Sequence, residues 1–141
     1  MDHLFLDTDV ILDLLTDRKP FSDSIAEIFD QAVRKKIILH SSALTFSNAF
    51  YILRKVASPR KILDQFRKLL TIVRLTDMNH DVVIAALESS FTDFEDALQN
   101  FSALQQSDIG IILTRNTKDY KHSSLIVLSP EVYCRQFPVS Q

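Results

Sequence analysis

Short apolar runs alternate along this chain with longer segments whose apolar residues recur every three to four positions. The first run, Leu4-Phe5-Leu6, has the pattern of a strand buried on both faces. A helix follows with Val10, Ile11, Leu14 and Leu15 on one face, and Thr8 or Asp9 is placed to cap it. The polar break Asp17-Arg18-Lys19-Pro20 precedes a second helix that starts at Pro20 or Phe21 and runs to about Lys35, with Ile25, Ile28, Phe29 and Ala32 inward. Ile37-Ile38-Leu39 reads as the second strand, ending at His40-Ser41-Ser42. A third helix carries Leu44, Phe46, Ala49, Phe50, Ile52 and Leu53. Ser58 and Pro59 then supply the cap and first residue of a fourth helix holding Ile62, Leu63, Phe66, Leu69 and Leu70. Ile72-Val73-Arg74-Leu75 is the third strand, and Asn79 or His80 opens a fifth helix with Val82, Val83, Ala86 and Leu87. Thr92 and Glu95 stand at capping-box spacing before a sixth helix that runs to about Gln106. Ile109-Gly110-Ile111-Ile112-Leu113 and Leu125-Ile126-Val127-Leu128 complete the strands, and Ser129-Pro130-Glu131 starts a last short helix.

Strands that alternate with helices pair in parallel through right-handed crossovers. The expected fold is therefore α/β, a three-layer α/β/α sandwich with a central parallel sheet of about five strands. The chain has 141 residues and shows no internal repeat, low-complexity segment or linker, so residues 1–141 are expected to form one domain.

Composition narrows the chemistry. One glycine in the whole chain argues against a Gly-rich phosphate loop, which removes Walker-type and dinucleotide-binding readings. One cysteine, Cys134, excludes an internal disulfide framework and a multi-cysteine zinc site, and it reads better as a small packing residue than as a nucleophile. No apolar run is long enough to span a bilayer, and Met1-Asp2-His3 leads straight into the first strand, so a cytoplasmic protein with no membrane partner is expected. A net charge of −2 does not announce a nucleic-acid binder. A carboxylate site built around divalent cations would nonetheless look acidic in the bare sequence, because the bound ion reverses the local field.

The carboxylates carry the chemical signal. Asp7 stands where the first strand leaves the sheet, which is where open α/β sheets bind ligands. Asp7 and Asp9 after that strand, Asp93 and Asp96 at the start of the sixth helix, and Asn116 and Asp119 after the fourth strand are brought toward one site by this topology. Short oxygen ligands suit Mg²⁺ or Mn²⁺, and a cation relieves the repulsion between packed carboxylates. Blander readings stand beside this one. Asp93 and Glu95 would suit the positive end of a helix dipole in any case. Asp9 can be no more than a cap, Asp119 can simply end a turn, and Asp13 reads as a solvated helix position. The four histidines share no metal-ligand spacing. Ser41 and Ser42 follow a strand, but no histidine is placed to activate them.

Phe5-Leu6-Asp7-Thr8-Asp9-Val10-Ile11-Leu12-Asp13-Leu14-Leu15 resembles the opening motif of PIN-domain nucleases. Asp93-Phe94-Glu95-Asp96-Ala97-Leu98-Gln99 is similar to the family's third acidic motif, and Thr114-Arg115-Asn116-Thr117-Lys118-Asp119-Tyr120 to the fourth. Ser129-Pro130-Glu131 resembles the family's ending. The resemblance spans nearly the whole chain in the right order and lies nearest a bacterial branch related to VapC-type toxins. It implies a PIN sandwich and a Mg²⁺- or Mn²⁺-dependent endoribonuclease, with an antitoxin protein as a candidate partner, and commonly a homodimer. Asp7 and Asp96 match the principal metal-binding aspartates, and Asp93 and Asp119 join them as catalytic candidates. Asp93, Asn116 and Asp119 match accessory positions around the same site, Asp9, Asn48 and Thr114 are further accessory candidates, and Arg115 and Lys118 are candidates to touch the RNA backbone. Two positions depart from the pattern. Asn48 stands nearest the glutamate of the second motif, and Asn116 replaces the usual acid of the fourth. Each asparagine offers an oxygen without a charge, which implies a weaker metal site with one ion or a weak second one. A non-catalytic PIN domain that binds RNA or protein is the alternative. A haloacid-dehalogenase-like phosphatase, suggested by the Asp7-Thr8-Asp9 spacing, ranks below both.

Overall fold

The computed structural model describes residues 1–138. Five strands form one sheet: β1 (Asp2–Leu6), β2 (Ile37–Ser42), β3 (Val73–Thr76), β4 (Ile109–Leu113) and β5 (Ile126–Leu128), in the order β3-β2-β1-β4-β5. Every pair is parallel, so every carboxyl end points the same way. The helices among the described residues are α1 (Thr8–Leu15), α2 (Phe21–Val33), α3 (Ala43–Leu53), α4 (Pro59–Leu69), α5 (His80–Leu87), α6 (Phe94–Gln105) and α7 (Pro130–Gln136).

Two cores sit on the two faces of the sheet. Leu4 and Leu6 of β1, with Leu39, Ile111 and Leu113, meet Val10 and Ile11 of α1, Ile25 and Ile28 of α2, Ala49 of α3, Phe66 of α4 and Tyr133 of α7. Phe5 points the other way and packs with Ile112, Tyr120 and Ala103 of α6. Ile109 shares the Phe5 face with Ile112, three residues on, because the register slips between His3 and Leu4, where Gly110 is the extra residue of β4. α5 packs on α6 and completes the third layer. The sandwich therefore has the expected form, with a thick side of five helices and a thin side of two.

The boundaries follow local chemistry. β2 runs through His40, Ser41 and Ser42, beyond the apolar run, because its pairing with β3 continues to Ser42 opposite Thr76; the Ser41 hydroxyl donates to the Leu6 carbonyl at 2.8 Å, and Ser42 caps α3. α1 is capped by Asp7, whose side chain accepts from the Thr8 amide at 2.7 Å, and not by Thr8 or Asp9. α6 is capped by Asp93, which accepts from the Asp96 amide at 2.9 Å; the Thr92–Glu95 spacing does not form the cap. α5 packs mainly on α6, burying Val82 and Ala86 and leaving Val83 and Leu87 on the surface.

Candidate active site

The carboxyl end of the sheet is polar yet buried. Asp7, Ser41, Ser42, Thr76 and Thr114 cross it from strand to strand, and Thr45, Gln99 and Ser102 meet them from the helices. Hydrogen bonds satisfy this layer, as burial of polar groups requires. Gln99 accepts from the Ser42 hydroxyl and donates to Thr45 Oγ1 at 2.5 Å. Thr76 and Ser102 share a hydrogen bond of 2.6 Å, and Ser102 reaches the Asp77 carbonyl at 2.5 Å.

Above this layer lies a cleft of about 620 Å³, lined by Asp7, Asp9, Asn48, Glu95, Asp96 and Asn116 among others. Asp7 and Asp96, from opposite halves of the chain, thus face one space. Asp7 is 6% exposed. Its Oδ2 accepts from Thr114 Oγ1 at 3.0 Å. Burial pushes its pKa upward against the hydrogen bonds from Thr8 and Thr114. Asp96 is pushed up to about 7, first by burial and then by the charges of Asp7, Asp93 and Asp119. Asp9 is pushed up to about 6 by burial and by Asp7. Three carboxylates that resist ionisation together form an electrostatic well for a cation.

The remaining positions fall around this centre. Asp93 and Asp119 lie on the exposed rim within the field of Asp96. Thr114 is buried, and it is also within reach of Asp9 Oδ2 at 3.2 Å. Asn116 lines the cleft, and its amide donates to Thr114 Oγ1 at 3.1 Å. Asn48 reaches across from α3 and donates to Glu95 Oε2 at 3.1 Å. Lys118 is exposed. Arg115 is turned away from the cleft wall toward Asp13, with Nε–Oδ2 2.5 Å and Nη2–Oδ1 3.3 Å. Asp13 is 2% exposed, so its expected place in solvent is corrected: the ion pair with Arg115 holds it inside. His3 and His40, without ligand spacing in sequence, meet at 2.9 Å between ring nitrogens on neighbouring strands.

Sequence reasoning missed Gln99, Thr45 and Tyr120. Gln99 stands one turn beyond Asp96 on α6, so the helical period after a named acid was the available signal. The Tyr120 hydroxyl is buried beside Asp7 and Asp96. Burial, followed by the charges of Asp7 and Asp96, drives its pKa far above the ordinary phenol value, which keeps it a neutral hydroxyl.

Among the described residues, no three His, Cys, Asp or Glu side chains stand as a ready metal cage. The donor set still fits a hard, hydrated ion. Mg²⁺ keeps several waters and takes only one or two carboxylates from a protein. Asp7 and Asp96 would supply that number.

The sequence profile of the PIN domain family matches residues 3–118, and the chain belongs to that family. No curated protein sequence matches it. Solved structures share the fold at low identity. VapBC2 from Rickettsia felis, solved bound to a DNA fragment from its promoter, has a TM-score of 0.69 at 15% identity, covering 90% of this chain and 98% of that one. VapBC-1 from nontypeable Haemophilus influenzae gives 0.68 at 16% identity over 92% and 98%. VapC20 of Mycobacterium tuberculosis, described as a sarcin-ricin loop cleaving toxin, gives 0.63 at 13% identity over 87% and 98%. Among the described residues no helix is long and apolar enough to cross a membrane.

Proposed function

We propose that the chain is a metal-dependent endoribonuclease, acting as the toxin of a toxin–antitoxin pair. One observation carries this reading: Asp7 and Asp96, distant in sequence, share a cleft in which the charge of Asp7 disfavours that of Asp96. Membership of the PIN family and the likeness to VapBC toxin–antitoxin structures support it. The family also displaces the phosphatase alternative.

Asp7 and Asp96 would hold Mg²⁺ or Mn²⁺. Such an ion, when bound, lowers the pKa of a water and offsets the charge of a phosphodiester. Thr114 fixes the rotamer of Asp7 by its hydrogen bond, and the Arg115 amide holds Asp9. Asp93 and Asp119 raise the negative field at the rim and act as catalytic candidates toward water. Lys118 offers a charge to the RNA backbone. A homodimer and an antitoxin are the proposed partners, with the cytoplasm as the proposed location.

The test is cleavage of single-stranded RNA by purified protein in Mn²⁺. Wild type should cut, and Asp7→Asn and Asp96→Asn should not. Equal activity in all three would mark a contaminant and end the nuclease reading. A second reading, a PIN domain that binds without cutting, is favoured by the neutral Asn48 engaged with Glu95. Calorimetric titration separates the two, because the inert form shows no heat at millimolar Mg²⁺ or Mn²⁺.

A further inference from the structure

We propose that Asp13 and Arg115 form a brace that sets the loop 114–116 against the metal-facing carboxylates, which makes Arg115 a positioning residue and not an RNA contact. The functional half of this inference rests on the nuclease reading of the cleft.

The guanidinium is already committed. Its fork meets both oxygens of Asp13, at 2.5 and 3.3 Å, and its central carbon lies 4.6 Å over the ring centre of Phe21. Only 25% of the Arg115 side chain is exposed. A phosphate approaching it would have to displace a buried carboxylate, which would then be left without its counter-charge.

The backbone of the same residue is held as well. The Arg115 amide donates to Asp9 Oδ2 at 2.9 Å. Asp9 and Asp13 are four residues apart on α1, so they rise from one face of that helix. One helix face therefore grips one residue twice, by its peptide and by its side chain, across a sequence separation of 102 for the ion pair. The gripped residue sits between the two that matter to the cleft. Thr114 donates to Asp7 at 3.0 Å, and the Asn116 amide donates back to Thr114 at 3.1 Å. A loop free to shift at Arg115 would carry Thr114 off Asp7, and the carboxylate would lose its fixed rotamer. A lysine at 115 would keep the charge but not the two-pronged geometry.

The experiment uses the full chain with Mn²⁺ as the probe, in wild type, Asp13→Asn, Arg115→Lys, Arg115→Met and the double variant Asp13→Asn/Arg115→Met. Calorimetry reads Mn²⁺ affinity, and hydrogen exchange reads the amides of Arg115 and Asn116. Far-UV circular dichroism confirms that each variant is folded. We expect Asp13→Asn and Arg115→Met each to weaken Mn²⁺ binding by 3- to 10-fold, on the order of 1 kcal/mol at 1.4 kcal/mol per tenfold. Both should speed exchange at the two amides. The double variant should be no worse than Arg115→Met, and Arg115→Lys should recover part of the loss. Folded Asp13→Asn with wild-type affinity and wild-type exchange overturns the brace. So does an Arg115→Met variant that loses RNA affinity while Asp13→Asn keeps it, since Arg115 is then a direct contact. If wild type binds no Mn²⁺, the nuclease reading fails while the exchange rates still decide the brace.

Discussion

Asp7 and Asp13 lie six positions apart, one capping α1 and the other near its end, and both are buried, at 6% and 2% exposure. Asp13 meets a guanidinium fork under an aromatic ring. Asp7 meets neutral donors, Thr8 and Thr114 among them, and its charged neighbours include the carboxylates of Asp9 and Asp96. A buried charge is stable when paired and costly when not. The fold therefore completes one of these carboxylates itself, and on the proposed reading a cation completes the other. That difference separates a structural acid from a site.

The comparison breaks first on activity. Asp7→Asn and Asp96→Asn should each lower Mn²⁺-dependent RNA cleavage by about 10²- to 10³-fold, the rate equivalent of a few kcal/mol of lost charge stabilisation. Single-turnover cleavage of a short labelled RNA checks this.

It breaks next on stability, with opposite signs. Arg115→Met leaves Asp13 buried without its partner and should lose about 2–3 kcal/mol, discounted for the partial exposure of Arg115. Asp7→Asn, measured without metal, should be neutral or gain about 1 kcal/mol, since it removes a charge that repels its neighbours. Urea denaturation in a chelator reads both.

A pH series sharpens the point. The Asp96 carboxyl rises from 3.8 to about 7 on folding, so across that interval the folded chain binds more protons than the unfolded one. Its contribution to stability therefore falls as pH rises from about 4 to 7 in metal-free protein. His40 acts in the opposite sense between about 4 and 6.5, because burial, with His3 and Arg74 nearby, holds its imidazole neutral in the fold. The informative quantity is thus the stability of wild type minus that of Asp96→Asn, which should decline across the interval. Mn²⁺ affinity should climb over the same range as the ion displaces the proton.

The smallest expected effect is a gain. Asn116→Asp places a negative charge beside the cleft and should raise Mn²⁺ affinity by several-fold, about 1 kcal/mol or less. Calorimetry measures it directly.

Much of this arrangement is legible in the chain because strands and helices announce themselves through period, and the residue at a strand's carboxyl end is then known to face the mouth. Asp7 and the stretch from Thr114 are read in this way. Asp96 follows from its place in a helix's first turn. Asp13 is not legible so. A carboxylate on an amphipathic helix looks solvated until Arg115, 102 residues away, is known to lie over it. Gln99, Thr45 and Ser102 are hidden for the same reason: polarity predicts the surface, and only tertiary pairing brings such groups inside. The caps at Asp7 and Asp93 were ambiguous by a residue or two because Thr8, Asp9 and Thr92 offer the same chemistry. Asp7 in particular does two jobs, closing a helix with one oxygen and facing the cleft with the carboxylate as a whole.

The most direct test of the central claim is anomalous diffraction from crystals of the wild-type chain grown in Mn²⁺. The account predicts one strong peak in the cleft, within direct coordination distance of carboxylate oxygens of both Asp7 and Asp96, with waters filling the other positions. Full-occupancy Mn²⁺ held elsewhere, with Asp7 and Asp96 carrying none, would contradict it.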